Sequence, residues 1–279
     1  MSTVTITAAD INKLRQMTGA GMMDCRKALT ETNGDIEAAV DWLRKKGQKV
    51  AALRGDRDAR EGVILAKTTE GNTSGIAFCI SCETDFVSKN ADFVAFAQSI
   101  MDAAIASNVK SVEELNAVEI GGVKVADLIN DKLASIGEKI GISKFERIEA
   151  EFVASYIHGS NRMGVLVGMN QPQPDAGKDV AMQIAAMNPV AVDASSVPSE
   201  VTEREKAIVL EQIKNDPKMA GKPEEMINKI ADGKLNAFFK ESTLLAQAFV
   251  KDGGQSVGDY LKSVDKDLKV ISFKRIALG

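Results

Sequence analysis

The first 54 residues alternate short amphipathic stretches with turn signals, a pattern typical of three short helices. The first stretch follows Thr7, a helix-capping residue type, and stops at Gly19, while the third follows Asp35 and is predicted to end at Gly47. The apolar positions at helical spacing are Ile11, Leu14 and Met17, then Met22, Cys25, Ala28 and Leu29, and finally Ile36, Ala39, Val40 and Leu43. They predict a compact bundle in residues 1–54, and the charge-dense segment 48–61 is interpreted as a linker with room for some helix.

Residues 55–145 change from the helical period to the strand period and back. Alternating apolar residues around a turn rich in Gly, Asn and Ser predict a β-hairpin, and apolar positions then return to helical spacing. This order predicts one α+β half of a core. Its strands are expected at 63–67 and 76–82, and its helices at 91–107, from Ser111 onward, and at 125–140 with Leu128, Ile129, Leu133 and Ile136 facing inward.

The order strand, turn, strand, helix then occurs a second time, with strands at 152–158 and 164–169 and a helix at 179–187. Short identities support the repeat, among them Gly75 in the first copy against Gly164 in the second. We therefore predict two similar halves packed together as the core. The first comprises residues 55–145, and the second comprises 146–198 and 240–279.

Residues 199–239 interrupt the second half with two helical stretches. A charged helix over 199–215 is followed by a loop over 216–222 and a second helix over 223–239, whose Pro223 suits the first helical position. Two comparable helices joined by a short loop predict an antiparallel coiled-coil hairpin. The apolar stripe of the first helix is Val201, Ile208, Leu210 and Ile213. After the hairpin, the sequence predicts a return segment at 244–250, a helix at 256–263 and a last strand at 270–276.

The predicted fold class is therefore α+β: an N-terminal three-helix bundle, a core of two repeated α+β halves with antiparallel sheets, and an inserted antiparallel helical hairpin. The 279 residues are 44% hydrophobic, enough for a sizeable core, and the net charge of −4 does not suggest a broad basic surface for nucleic acid. No secretory signal pattern and no apolar run of the roughly 18 residues that a membrane helix needs are present, so we expect a cytoplasmic protein without a membrane partner. The three cysteines are expected to be reduced thiols.

The residues that could do chemistry form no recognisable catalytic or cofactor site. Cys79 and Cys82 have CxxC spacing, but residues three apart on a strand point to opposite faces, which disfavours a metal or redox pair. His158 is the single histidine, so a serine or cysteine nucleophile has one candidate base and no visible orienting partner. The glycine-lysine pairs lack the rest of a phosphate-binding loop. We expect no metal, no cofactor, no nucleotide site of its own and no enzyme activity.

The segment Thr84, Asp85, Phe86 and Val87, called the tip below, lies between the second predicted strand and the helix at 91–107. Thr84 and Phe86 continue the even-numbered apolar face of the strand, so the pattern alone favours Phe86 as the last core residue of that strand. The competing interpretation is an exposed acidic and aromatic tip on a rigid base.

Two motifs resemble one known family. Glu83-Thr84-Asp85-Phe86-Val87 resembles a signature of bacterial elongation factor Ts, and the run from Thr18 to Leu29 resembles a second signature of the same family. The resemblance continues through almost the whole chain. In addition, residues 33–43 are similar to the last helix of ubiquitin-associated domains, small three-helix modules that usually bind a protein partner.

The resemblance implies a guanine-nucleotide exchange factor for elongation factor Tu. It implies binding to the GDP form of Tu, with Asp85 and Phe86 entering the nucleotide domain near the magnesium, release of magnesium and GDP, and entry of GTP. Met22, Met23 and His158 are implied as partner contacts. The longest family members continue into a C-terminal helical extension that this sequence does not include, so the partner contact of that extension is not carried over.

Two other classes of function stay open on the residues. One is a non-catalytic adaptor that docks a protein through its ubiquitin-associated-like module and uses the repeated core as a scaffold. The other is a hydrolase that depends on Cys82 or His158.

Overall fold

A computed structural model describes residues 5–217 and 222–279. The helices of these residues are α1 (Ala8–Thr18), α2 (Met22–Glu31), α3 (Ile36–Arg54), α4 (Asp85–Ser88), α5 (Ala91–Ala106), α6 (Val112–Ala117), α7 (Val125–Ile136), α8 (Pro174–Met187), α9 (Ser199–Asn215), α10 (Glu224–Ser242) and α11 (Val257–Val264). The strands are β1 (Glu61–Thr68), β2 (Ser74–Cys82), β3 (Glu119–Ile120), β4 (Val123–Lys124), β5 (Gly141–Glu149), β6 (Phe152–His158), β7 (Met163–Met169), β8 (Ala248–Phe249), β9 (Asp252–Ser256) and β10 (Val270–Ala277). The predicted α+β class is confirmed.

The N-terminal bundle consists of α1, α2 and α3, as predicted. Its first helix begins with a capping box, in which Thr7 Oγ1 accepts from the Asp10 amide at 3.2 Å and the Asp10 carboxylate accepts from the Thr7 amide at 3.0 Å. Gly19 ends the helix in the left-handed conformation (φ 68°), which glycine adopts without steric cost. The buried residues of the bundle form one cluster: Leu14, Ala20, Cys25, Ala28, Leu29, Ala39 and Leu43.

The predicted end of the third helix at Gly47 is wrong, because α3 continues to Arg54. Gly47 lies inside the helix at a close approach to α7. A Cβ at Gly47 would lie only 2.7 Å from the Cβ of Ala134, below any normal van der Waals separation. This glycine therefore lets the bundle pack against the core, and the N-terminal part of the predicted linker is helix.

The core contains two three-stranded antiparallel sheets with the same topology. The strand orders are β1-β2-β5 and β10-β7-β6, so each half contributes a hairpin and a later strand that pairs with the second strand of that hairpin. The predicted repeat is thus present in the fold. The sheets face each other where Gly75 on β2 and Gly164 on β7 let side chains of the other half approach: an added Cβ would lie 2.9 Å from Leu166 and from Ile64, respectively.

Strand β5 was not predicted, and the predicted helix over 125–140 is too long. Gly137 (φ 80°) ends α7 at Ile136, and β5 begins at Gly141. A bulge hides the strand in the sequence, because Ile80 pairs with Ile142 while Cys79 pairs with Lys144 and Ser143 is the extra residue. The bulge, together with the location of Phe145 and Ile148 on opposite faces of β5, breaks the period-2 alternation of apolar residues by which the other strands were predicted.

The second half differs from the prediction in its helix and its return segment. Helix α8 begins at Pro174 instead of residue 179, and Gly177 lies where an added Cβ would be 2.7 Å from the Cβ of Ala154 on β6. The small hairpin of β8 and β9 was also not predicted. Helix α11 and strand β10 lie within one residue of their predicted bounds.

The inserted hairpin consists of α9 and α10, with α9 at its predicted bounds. Its core is formed by Val209, Ile213 and Ala231, whereas Ile208, predicted to face inward, is exposed. Part of the predicted loop, residues 218–221, lies outside the described residues. Among the described helices, none combines the length and the apolar character needed to cross a membrane.

Candidate partner-binding site

The tip forms a helical turn, α4, that projects Phe86 into solvent. Strand β2 ends at Cys82, and Thr84 takes an extended conformation (φ −122°, ψ 153°) immediately before the turn. Phe86 is 85% exposed, whereas Val87 packs against the core of the first half. The expectation that Phe86 is the last core residue of the strand is therefore wrong. Consecutive residues on a helix differ in direction by about 100°, which lets Val87 turn inward while Phe86 points outward.

The base of the tip is held by Glu138, which follows α7. Its Oε2 accepts from the backbone amides of Glu83 and Thr84, each at 3.0 Å, and its Oε1 accepts from the Thr84 hydroxyl at 2.6 Å. Three donors, one from Glu83 and two from Thr84, therefore converge on one carboxylate. Below it, the Cys82 thiol donates to the Thr84 carbonyl at 3.2 Å.

Glu83 makes the converse contact. Its Oε1 accepts from the backbone amide of Lys139 and from the Arg54 guanidinium, both at 2.7 Å. The Lys139 amide hydrogen bond and the neighbouring Arg54 hold the pKa of the Glu83 carboxyl below its usual range. Arg57 adds a weaker contact to Oε2 at 3.5 Å. Glu83 is thus ionised at neutral pH and joins the end of α3, the end of α7 and the tip.

Asp85 lies on the solvent side of the tip. Its carboxylate is 2.7 Å from the Lys89 ammonium one helical turn later, and this hydrogen-bonded ion pair lowers the pKa of Asp85. The tip therefore presents a negative charge beside an exposed aromatic ring. The ion pair is itself exposed, so a partner can replace Lys89 as the neighbour of Asp85 at little cost.

A groove of about 370 Å³ lies beside Phe86, between the tip, α7 and the bundle. Its lining includes Gly19 from the turn between α1 and α2, together with Lys132 and Ile136 from α7. The fold thus brings the start of α2 close to the tip. Met22 and Met23 begin α2 and are both exposed, Met23 to 75%.

His158 lies on the other sheet, exposed at the end of β6, with its Nδ1 3.0 Å from the Tyr156 hydroxyl. The turn after it docks on β1, where Asn161 exchanges hydrogen bonds with the Ile64 backbone at 2.8 and 3.1 Å. Arg162 in the same turn pairs with Glu61, and Glu61 lies opposite Cys82 in the first sheet. The turn after His158 therefore contacts β1, whose first residue lies opposite the end of β2, immediately before the tip.

The cysteines are placed for packing. Cys79 faces the core between the sheets and Cys82 faces the core under α5, which confirms that the two point to opposite faces of β2. Burial raises the pKa of both thiols, that of Cys82 to about 12, so neither is an activated nucleophile. In residues 5–217 and 222–279, no group of three or more His, Cys, Asp or Glu side chains could hold a metal ion.

Glu138, Lys139 and Lys89 support the site but were not predicted from the sequence. Glu138 is more than 50 residues from the tip and no local pattern connects the two, so only the fold shows their contact. The (i, i+4) spacing of Asp85 and Lys89 was visible and could have predicted their ion pair.

Comparison with known proteins gives a consistent result. A family model described as Elongation factor TS matches residues 83–279. An elongation factor Ts from Christiangramia forsetii is 48% identical, with 98% of this chain and 99% of the relative aligned. Proteins of the same name from Amoebophilus asiaticus (48% identical, 98% and 99% aligned) and Flavobacterium psychrophilum (45% identical, 99% and 99% aligned) are similar over nearly their whole lengths.

Proposed function

The chain belongs to the elongation factor Ts family, and from this premise we propose that it is a translation elongation factor that exchanges guanine nucleotides on elongation factor Tu. In this proposal it binds the GDP form of Tu, weakens the binding of magnesium and GDP, and leaves the site open to GTP. It supplies no nucleotide site and forms no covalent intermediate. Exchange of this kind is reciprocal linkage, because the factor and the nucleotide each weaken the binding of the other by the same ratio.

The observation that carries the proposal is the exposed Phe86 on a braced helical turn, next to the ionised Asp85. An exposed aromatic ring on a rigid base loses little conformational entropy on binding, so its burial in a partner can be used to open the partner's site. A carboxylate next to it suits a place near a bound cation and its phosphates, where it competes for the cation and repels the phosphates. We propose that Asp85 and Phe86 act in this way, with Thr84 and Val87 anchoring the tip to the core.

Met22, Met23 and His158 are proposed as further contacts to Tu. The two thioethers are exposed, and flexible methionine side chains adapt to apolar partner surfaces. The turn after His158 contacts β1 next to the strand end that carries the tip, so one face of a partner could reach the bundle, the tip and the second half. We propose a matching division of the chain, with the boundaries after 145 and 239 moved to the ends of β5 and α10: a docking module in residues 1–54, the working half in 55–149, a supporting half in 150–198 and 243–279, and the hairpin insertion in 199–242.

Release of fluorescently labelled GDP from Tu, under excess unlabelled nucleotide, tests the proposal. At a factor concentration well below that of Tu, we expect release to accelerate over many turnovers. An unchanged rate, with an active exchange factor as the positive control, would reject the exchange function. If this chain then still bound Tu or another protein, the adaptor would be the better explanation.

A further inference from the structure

Two carboxylates brace the tip reciprocally across the space between β2 and α7. Glu138 accepts three hydrogen bonds from Glu83 and Thr84, and Glu83 accepts one from the amide of Lys139, the residue after Glu138. Each carboxylate therefore accepts hydrogen bonds from the backbone of the segment that carries the other. Glu138 binds amides of the segment after β2, and Glu83 binds an amide of the segment after α7. Hydrogen bonds to ionised groups are stronger than neutral ones, so this arrangement fixes the starting direction of the tip.

The same brace reaches the N-terminal bundle. Arg54 is the last residue of α3, and its guanidinium lies 2.7 Å from Glu83. The Lys139 ammonium donates to the carbonyls of Gly55 and Arg57 at 2.5 and 3.0 Å, in the segment that leaves the bundle. Glu83 and Lys139 therefore hold the exit of the bundle against the base of the tip.

We propose that Glu83 and Glu138 are positioning residues for nucleotide exchange, which set the direction of Phe86 and fix the bundle relative to the tip. The inference rests on the proposed exchange function and adds to it two residues that touch neither nucleotide nor magnesium. Neither carboxylate has to contact the partner in order to act. The effect of Glu138 on exchange passes through the tip and so through Phe86, whereas Glu83 also holds the bundle through Arg54.

The alternative is that these carboxylates only stabilise the fold. That role predicts a loss of stability without a specific dependence on Phe86. The positioning role predicts that a defect in the brace no longer matters once the Phe86 ring is absent, because the residue that the brace positions has been removed. A double-mutant cycle separates the two roles.

The first pair of variants is Glu138→Ala and Glu138→Gln. Alanine leaves the amides of Glu83 and Thr84 without their acceptor. The glutamine side chain of the second variant can keep its carbonyl oxygen on both amides and donate from its amide nitrogen to the Thr84 hydroxyl, which can also accept. We expect Glu138→Ala to lower the exchange rate at saturating factor roughly tenfold and Glu138→Gln to retain most of the activity. A requirement for negative charge alone would instead make both variants fail.

The second step places Glu138→Ala in a Phe86→Ala background, where we expect a further loss of less than about twofold. Thr84→Val, which removes only the hydroxyl donor, is the milder variant if Glu138→Ala does not fold, and its smaller defect should disappear in the same background. The matched control is Glu146→Gln, which removes a β5 carboxylate that pairs with Lys274 of β10 at 2.8 Å. We expect this control to leave exchange unchanged. Thermal unfolding of each variant measures the structural contribution separately.

Three results decide the matter. If the brace variants lose activity equally with and without Phe86, or lose none, the positioning role is overturned while the exchange function stands. If the brace defect depends on Phe86, the positioning role is supported. If the unaltered protein does not accelerate GDP release, the exchange function fails first and the positioning role fails with it.

Discussion

Truncating Phe86 tests the contribution of the ring to GDP release from Tu separately from its contribution to folding. Because the ring is 85% exposed in the free chain, Phe86→Ala should change the free energy of unfolding by less than about 0.5 kcal/mol. Full burial of a phenylalanine side chain is worth roughly 1.5 to 3 kcal/mol. If this energy is realised only when the nucleotide site of Tu is open, its loss slows GDP release about ten- to 150-fold.

The assay is stimulated release of labelled GDP from Tu, measured over a range of factor concentrations so that the maximal rate and the half-saturating concentration are obtained separately. A ring that acts in the open state should lower the maximal rate, whereas a ring that only adds affinity should raise the half-saturating concentration. Ile271→Ala is the matched control, because Ile271 is an apolar residue on β10 that is 56% exposed. An unchanged maximal rate for Phe86→Ala, with normal folding, would refute the role of the ring in opening the site.

Two further predictions concern the packing of α3 against α7 and the ionisation of Glu83 at the base of the tip. Gly47→Ala should destabilise the protein by up to about 2 kcal/mol, because overpacking against Ala134 outweighs the gain in helix propensity. The control Gly233→Ala in α10, which has open space around it, should stabilise the protein by roughly 0.5 to 1 kcal/mol. Denaturant midpoints compare the two variants, and stabilisation by Gly47→Ala would contradict the close approach of α3 to α7. The lowered pKa of Glu83, caused first by the Lys139 amide and then by Arg54, means that its contribution to stability is complete above the unfolded-state value of about 4.3 and is lost as the pH falls through the lower folded-state value. Unfolding measured between pH 7 and pH 3 should therefore show a weaker acid dependence in Glu83→Gln, and an identical dependence in both proteins would contradict the lowered pKa.

Much of the fold could be predicted from the sequence where local signals and tertiary packing agree. Thr7 and Gly19 start and end α1 as their chemistry predicts, and α9 has its predicted bounds. The errors occur where packing overrides a local signal. Gly47 was interpreted as a helix end because glycine usually stops helices, yet it serves a close contact with α7 that no local pattern encodes.

The candidate site shows the same limit at the level of single residues. Strand alternation placed Phe86 on the core face, and a single helical turn reversed that assignment. Glu138 could not be connected to the tip without the fold, because it lies 54 residues from Thr84 in the sequence. Its position between the end of α7 and the bulged strand β5 was not predicted either. The repeat itself held the missing signal for β5, because the second half ends in a strand, β10, that occupies the equivalent position.

The duplicated halves also explain why one tip can act alone. In the first half, eight residues (83–90) connect β2 to α5 and include the turn α4, whereas in the second half four residues (170–173) connect β7 to α8. The difference is about one helical turn, which is the element that carries Phe86. The second half cannot easily gain such a turn, because Pro174 starts α8 directly and Gly177 holds that helix closely against Ala154 on β6. In the proposed function, the short connection therefore leaves the second half a supporting role, and the extra turn with its two bracing carboxylates gives the first half the contact with the partner's nucleotide site.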